Sequence, residues 1–401
     1  MADQNILIFG AGKIGRSFIG QLFGKAGYEV VFVDMDQSLV DELNRRGSYP
    51  VVIKGPDKDD RQVIENIRAI HALEQNGVVE AISDAGIVAI SVGKNALPAV
   101  ASVVGAGLIK REHDHPGKVL DIILAENMRS ADLFFEEKLT ETLPGSYPLK
   151  ERIGLVETSI GKMVPIMTTE DLEEDPLQVF AESYNSLILD RKGFIGEIPK
   201  IEGLALKDNI KAWVDRKAFI HNLGHASASY CGNYLLPGAR YMYEVLADNR
   251  VFEFTGQVMK EAAELLMSVY PHEFTVKGLT HHINDLLSRF QNRSLGDTIY
   301  RVGSDLTRKL GPDDRFMATI KLAIEKEVAY GMILEAMAMG FMFKAKDENE
   351  QMFPGDVEFH NRVSDNLDLV LEQICGLDAA LDEKLIFQLK KQIDKFSNNN
   401  E

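Results

Sequence analysis

Three side chains able to do acid–base chemistry, and a carboxamide that can hydrogen-bond beside them, fall within one short stretch. Lys217, His221, Asn222 and His225 lie in Trp213-Val-Asp-Arg-Lys-Ala-Phe-Ile-His-Asn-Leu-Gly-His-Ala-Ser-Ala-Ser-Tyr230. The stretch contains no proline, and Trp213, Phe219, Ile220 and Leu223 are spaced as on a buried helix, so the pattern predicts a helix. At roughly 100° per residue, Lys217, His221 and His225 share one stripe with Asn222 beside it, within an arc of about 140°. An ammonium, a carboxamide and two imidazoles would then point into a common space.

That set suits hydride removal from an alcohol. When a hydride leaves the carbinol carbon, the hydroxyl proton must leave too, and a lysine desolvated in a cleft can have its pKa lowered enough to accept it. Asn222 and His225 could hold the alkoxide as charge develops. The bland alternative is a solvated or structurally satisfied helix face. A zinc reading is weaker, because His221-x-x-x-His225 encloses Asn222 where a zinc protease helix carries glutamate.

The elements that would position these groups are read from the rest of the chain. At 401 residues, 45% apolar and 26% charged, it suggests an ordinary globular protein of two domains. The formal charge of −17 argues against nucleic acid or an anionic membrane as main partner. The two cysteines, Cys231 and Cys375, form no disulfide or metal framework, which fits a reducing cytoplasm. No secretory signal and no membrane-spanning apolar run is expected, so the localisation predicted is cytoplasmic.

Near the amino terminus, Asn5-Ile-Leu-Ile-Phe9 reads as a buried strand leading into Gly10-Ala11-Gly12-Lys13-Ile14-Gly15, with a helical pattern after it. Glu29-Val-Val-Phe-Val33 reads as a second strand ending at Asp34. Strand, glycine turn, helix, strand and acid is the order of a dinucleotide site: Gly10 for the tight turn, Gly12 for approach of the pyrophosphate, Gly15 for close helix packing. Asp34 can accept from a ribose 2′-hydroxyl but would repel a 2′-phosphate, so NAD is favoured over NADP.

Further parallel strands are expected at Ile87–Ile90, followed by Ser91-Val92-Gly93, and at Val119–Leu124, followed by Ala125-Glu-Asn127-Met128. Ligands collect beyond the carboxyl ends of such strands, where Val92, Gly93 and Asn127 would lie, although a plain turn at Gly93 and a helix cap at Asn127 are equally simple readings. Ala99 to Ile109 reads as a covering helix. Arg152 to Ile166 and Gln178 to Leu189 look extended and are expected to add edge strands. His113-Asp-His115 reads as a solvated loop. From Leu204 onward the pattern is helical, at 213–230, 239–269, 280–290, 316–343, 356–375 and 380–396. The methionine-rich run Met332 to Met342 reads as core. The fold class expected is α/β, a Rossmann-type domain with extra edge strands over residues 1–203. A mostly α-helical substrate domain follows over residues 204–401, with Lys217 meeting the nicotinamide in the cleft between them.

The chain resembles the polyol-specific long-chain dehydrogenases, the mannitol dehydrogenase family, over nearly its whole length. The residues carrying the resemblance are Phe9-Gly-Ala-Gly-Lys-Ile-Gly-Arg-Ser-Phe-Ile-Gly20, Ser48-Tyr49, Val92-Gly93, Ala125-Glu-Asn-Met128, Asp175-Pro-Leu177, Lys217-x4-Asn222-x2-His225 and Arg308-Lys-Leu310. The resemblance implies a metal-independent reaction with Lys217 as general base and Asn222 and His225 on the reacting oxygen. It also implies that Asn127 holds substrate or tunes the lysine, and that Arg301 and Lys309 contact the substrate's far end.

One departure concerns substrate. Where the family usually has Val-Asp-Arg-Ile-Val-Pro, this chain has Ile160-Gly161-Lys162-Met163-Val164-Pro165, so an aspartate near the substrate is replaced by Gly161 and Lys162 adds a cation. The leading expectation is an NAD-dependent interconversion of a hexitol phosphate and a ketose phosphate, mannitol 1-phosphate and fructose 6-phosphate being the first pair. A hexuronate reductase acting on fructuronate or tagaturonate, a dehydrogenase of unphosphorylated hexitols and a silent NAD-binding sensor are the alternatives. The sequence leaves oligomeric state open.

Overall fold

A computed structural model describes residues 4–55, 58–126 and 128–398. The chain divides into two compact units at Val214 and Asp215. Among the described residues eleven strands all lie in the first unit: β1 Asn5–Phe9, β2 Glu29–Asp34, β3 Ser48–Ile53, β4 Asp60–Glu65, β5 Ile67–His71, β6 Ile87–Ile90, β7 Leu120–Leu124, β8 Ile153–Ser159, β9 Val179–Ala181, β10 Leu187–Asp190 and β11 Leu204–Lys207. Eight form one sheet in the order β11-β10-β8-β7-β6-β1-β2-β5. Its neighbours are parallel except at β8 and β10, which pair antiparallel through Ser159–Ile188 and Thr158–Leu189.

The continuous apolar strands follow from burial on both faces. Ile6 and Ile8 of β1, Val30 and Phe32 of β2 and Ala89 of β6 pack into one core. The alternate residues Leu7 and Phe9, Val31 and Val33, and Val88 and Ile90 pack into another on the opposite face. The amino-terminal unit is therefore a doubly wound Rossmann-type sheet covered by helices such as Leu97–Asp114, which Pro98 opens in its first turn.

Several local expectations change. The segment 152–166 is a strand only to Ser159. The run 178–189 splits between two sheets, because β10 joins the large sheet whereas β9 pairs parallel with β3, and β3 pairs antiparallel with β4, as a separate three-stranded sheet. Leu204–Lys207, assigned by pattern to the start of the second domain, forms β11 beside β10. His113 and Asp114 close the helix Leu97–Asp114 rather than lying in a loop, with His113 against Asp114 at 2.8 Å and His115 against Asp84 at 3.1 Å.

The second unit is mostly helical. Its long predicted helices break where a polar side chain offers the backbone a cap: Asp248 opens Asn249–Val269 and Asn366 opens Leu367–Gln373. Met337 and Met339 are buried, as core residues of Gly331–Gly340. Close helix approach depends on small residues, since a Cβ at Gly224 would stand 2.6 Å from the Met259 side chain. Among the described residues no helix is long and apolar enough to cross a membrane.

Candidate active site

In the first unit the turn after β1 is built around three glycines. Gly10 has φ +92°, and a Cβ there would lie 2.4 Å from the Ser91 carbonyl oxygen. At Gly15 a Cβ would lie 1.9 Å from the Gly10 oxygen. Gly12 differs: nothing stands within 4 Å of its Cβ position, and Gly12 and Lys13 are exposed with Ile14 half-buried. The packed side of the turn thus needs glycine for space, while the Gly12 side is open for a ligand. Asp34, at the end of β2, accepts from the Ala11 N–H at 2.7 Å and from the Asp36 N–H at 3.0 Å. A carboxylate has about four acceptor positions, so two bonds leave capacity for ribose hydroxyls. An open glycine cradle beside a half-exposed carboxylate fits a dinucleotide.

Two residues not singled out by sequence hold this region. Buried Arg16 donates through Nε to the Ala11 carbonyl at 2.6 Å and through its guanidinium to the Leu177 carbonyl at 2.6 Å, tying the turn to the Asp175–Leu177 segment. Buried Glu126 accepts from the Val92 and Gly93 N–H groups at 2.7 and 3.0 Å, and burial pushes its carboxyl up. Gly93 has φ +87°, a left-handed conformation that favours glycine. The adjacent Asn127 lies outside the described residues. Lys162 is buried in this unit, where it donates to Gln21 at 3.1 Å and Asn185 at 2.8 Å and lies 4.9 Å from the centre of the Phe18 ring.

In the second unit the expected straight α-helix does not form. Lys217–Asn222 is a π-helical turn between Ile210–Arg216 and Leu223–Leu235, and the Leu223 N–H donates to Ala218, five residues back. Five-residue closure widens the turn, which brings Lys217 and Asn222 closer around the helix axis than a regular α-helix would. Such turns cost regular hydrogen bonding and concentrate at functional positions. Burial pushes the Lys217 ammonium down to about 8, with Arg315 adding to the shift. His221 and His225 are held well below the ordinary imidazole range, chiefly by burial and then by neighbouring cations, Arg289 first for His221 and Arg301 first for His225. Both imidazoles are therefore neutral.

His225 stacks on Phe290 with ring centres 4.4 Å apart and an 11° interplanar angle, which fixes its plane. Its Nε2 faces Asp297 Oδ2 at 3.5 Å, and the other Asp297 oxygen accepts from Arg301. Arg301 keeps half its side chain exposed. Lys309 is buried, donates to the Val302 carbonyl at 2.6 Å and to the Ser304 carbonyl, and is pushed down to about 7 by burial and then by Arg315 and Arg308. Arg315 lies in a loop that carries no periodic signal, and only the fold brings it to Asn222, whose carbonyl it meets at 3.2 Å. The second unit thus gathers a lysine that can be neutral near pH 8, two neutral imidazoles, a carboxamide and a group of cations.

Residues 4–203 match the family model of the mannitol dehydrogenase Rossmann domain, and residues 209–399 that of the mannitol dehydrogenase C-terminal domain. The mannitol-1-phosphate 5-dehydrogenase of Lactococcus lactis subsp. cremoris (strain SK11) is 32% identical over 394 residues, covering 98% of each chain. That of Brevibacillus brevis is 33% identical over 344 residues, covering 85% of this chain and 86% of the relative. Among solved structures, the Pseudomonas fluorescens mannitol 2-dehydrogenase ternary complex with NAD and D-mannitol superposes with a TM-score of 0.78 at 18% identity, covering 99% of this chain and 92% of that one. A D-sorbitol dehydrogenase in substrate-free form gives 0.76 at 17% identity, covering 98% and 92%.

Proposed function

The chain belongs to the mannitol dehydrogenase family, and from that premise we propose that it is an NAD-dependent enzyme interconverting a hexitol phosphate and a ketose phosphate. Its relatives at about a third identity support the broader class, a polyol or polyol phosphate dehydrogenase. Mannitol 1-phosphate and fructose 6-phosphate are the pair we infer, with Lys217 as general base and no metal required.

The observation that carries the reading is the Lys217 amine, which burial and Arg315 push down to about 8. A base with its pKa near the working pH is deprotonated often enough to act and still binds a proton firmly. In the oxidative direction Lys217 takes the hydroxyl proton, and the Asn222 carboxamide and neutral His225 donate hydrogen bonds to the oxygen as it gains charge. In the reductive direction Lys217 returns the proton. NAD, when bound, supplies the hydride acceptor; the Gly10–Gly15 turn would hold its pyrophosphate and Asp34 its ribose, with Val92 and Gly93 lining the cofactor side. Asn127 is proposed to assist at the substrate.

Cations support the phosphate. In a chain of net charge −17, Arg301, Arg308, Lys309 and Arg315 fall within fifteen residues of sequence. Lys309 is committed to the Val302 and Ser304 carbonyls, Arg308 to Asp305 and Asp314, and Arg315 to Asp314 and Asn222, whereas Arg301 presents a half-exposed guanidinium suited to a phosphate fork. Lys162 is a weaker candidate than the sequence suggests, because its ammonium is committed to Gln21 and Asn185.

The test is NAD and NADP reduction over mannitol 1-phosphate, other hexitol phosphates and free hexitols, with fructose 6-phosphate, fructuronate and tagaturonate in reverse. Preference for mannitol 1-phosphate, retained after prolonged EDTA treatment, is the expected result. Preference for a uronate or free hexitol removes the phosphate assignment, and no turnover on any of them favours the sensor. Lys217→Ala should lower turnover by about two to four orders of magnitude while leaving NAD binding nearly intact.

A further inference from the structure

We propose that Arg315 is a positioning residue of the Lys217 centre: a cation fixed by Asp314 and docked on the Asn222 carbonyl, holding permanent positive charge against the lysine amine. The inference rests on the proposed role of Lys217 as base.

The geometry is specific. Arg315 Nε donates to Asp314 Oδ1 at 2.8 Å, the Arg315 N–H donates to the same oxygen at 2.6 Å, and the guanidinium reaches the Asn222 carbonyl at 3.2 Å. Only 11% of the Arg315 side chain is exposed. Asp314 is itself held by Arg308 at 3.0 Å, so the anchor does not swing. A guanidinium held at both ends and withdrawn from water acts as a fixed charge with little screening. Lys217, His225 and Lys309 are among the nearby groups that it makes harder to protonate.

The surroundings of Lys217 single out this cation. On the same turn stands His221, a neutral imidazole. The helix Val276–Phe290 brings His282 and Arg289, which act on His221. The preceding helix Ile210–Arg216 brings Asp215, engaged by the Tyr270 hydroxyl at 2.5 Å, and Arg216, which acts on His282. From Asn249–Val269 the buried residues include apolar Val258, Met259 and Ala262. Arg315 is the charge that adds to burial in lowering the proton affinity of Lys217 itself. Because it grips the carbonyl of the last residue of the widened turn, it also ties that charge to the segment carrying the base.

The experiment reads Lys217 directly. The intact protein is labelled with trace acetic anhydride across a pH series, and acetylation of the Lys217 peptide is followed by mass spectrometry in the unaltered protein, Arg315→Gln and Arg315→Lys. The midpoint should lie near 8 in the unaltered protein, rise by about half a unit or more in Arg315→Gln, and stay near the unaltered value in Arg315→Lys, which keeps the charge. The low-pH limb of kcat/KM for oxidation should move with it. An unmoved midpoint in Arg315→Gln, or a midpoint near that of a solvated lysine in the unaltered protein, overturns the proposal. Retained turnover in Lys217→Ala would instead remove the base assignment, and the labelling midpoints would still decide the role of Arg315.

Discussion

Asp297 joins the two ends of the second unit's polar centre, with one carboxylate oxygen 3.5 Å from His225 Nε2 and the other accepting from Arg301. One buried carboxylate thus holds the proposed distal cation and stands beside the proposed oxygen-binding imidazole. Replacing Asp297 by Asn keeps the shape and removes the charge that holds Arg301 and faces His225. Losing a partner that orients a functional side chain typically costs about 10- to 100-fold, and a fall of that size in kcat/KM for mannitol 1-phosphate is expected. Steady-state kinetics giving an unchanged kcat/KM would show that the pair orients nothing the reaction uses.

Arg301→Ala should separate phosphorylated from unphosphorylated substrate. If the exposed face of this guanidinium takes the phosphate, KM for mannitol 1-phosphate should rise about 10- to 100-fold, the worth of a charged hydrogen bond. KM for mannitol should change far less. Equal losses on both substrates would place Arg301 in general support of the site.

Asp34→Ala bears on the cofactor. The Asp34 carboxylate accepts from the Ala11 N–H, so its removal takes away a ribose acceptor and a restraint on the glycine turn together. NAD affinity, measured by calorimetry, should fall by roughly 1 to 3 kcal/mol, and NADP should gain relative to NAD. An unaltered enzyme that already accepts both cofactors equally would count against the role given to this carboxylate.

Glu157 gives a stability signature with a defined sign. Burial, helped by Asp132, raises its carboxyl to about 7 although the Ala131 and Ser130 N–H groups partly oppose the shift. The unfolded chain, with an ordinary carboxyl near 4.5, loses its proton first, so this group's contribution is neutral below about 4.5. Stability then falls as pH rises towards 7, and the full cost remains above it. Glu157→Gln keeps an acceptor oxygen and cannot ionise. Thermal or urea unfolding should show it equal to the unaltered protein near pH 4 and more stable at pH 8, by up to about 3 kcal/mol. A difference independent of pH would refute the assignment.

Strand β1, the glycine turn, β2 and Asp34 are legible in the sequence because each is local: four apolar residues buried on both faces, glycines where a Cβ has no room, and an acid at the strand end. The strands β6 and β7 are legible for the same reason. The second sheet is not, because β3 and β4, a local antiparallel pair, are mixed in pattern, and β9, although extended in pattern, joins them only by pairing with β3 across more than a hundred residues. Long helical patterns likewise hide the breaks that Asp248 and Asn366 impose.

The sequence by itself determined which functional groups the second unit would offer, since the spacing of Lys217, Asn222 and His225 is a covalent property of the chain. It also determined that a dinucleotide turn would open the first unit. Only the tertiary structure decided how those groups are tuned. Neither the widened turn at Lys217–Asn222, the stacking of His225 on Phe290, the Asp297 bridge nor the Arg315 charge has a local signature. The last three depend on residues far apart in the chain being brought out of water together, and desolvation and fixed neighbouring charge, unlike spacing, exist only once the chain has folded.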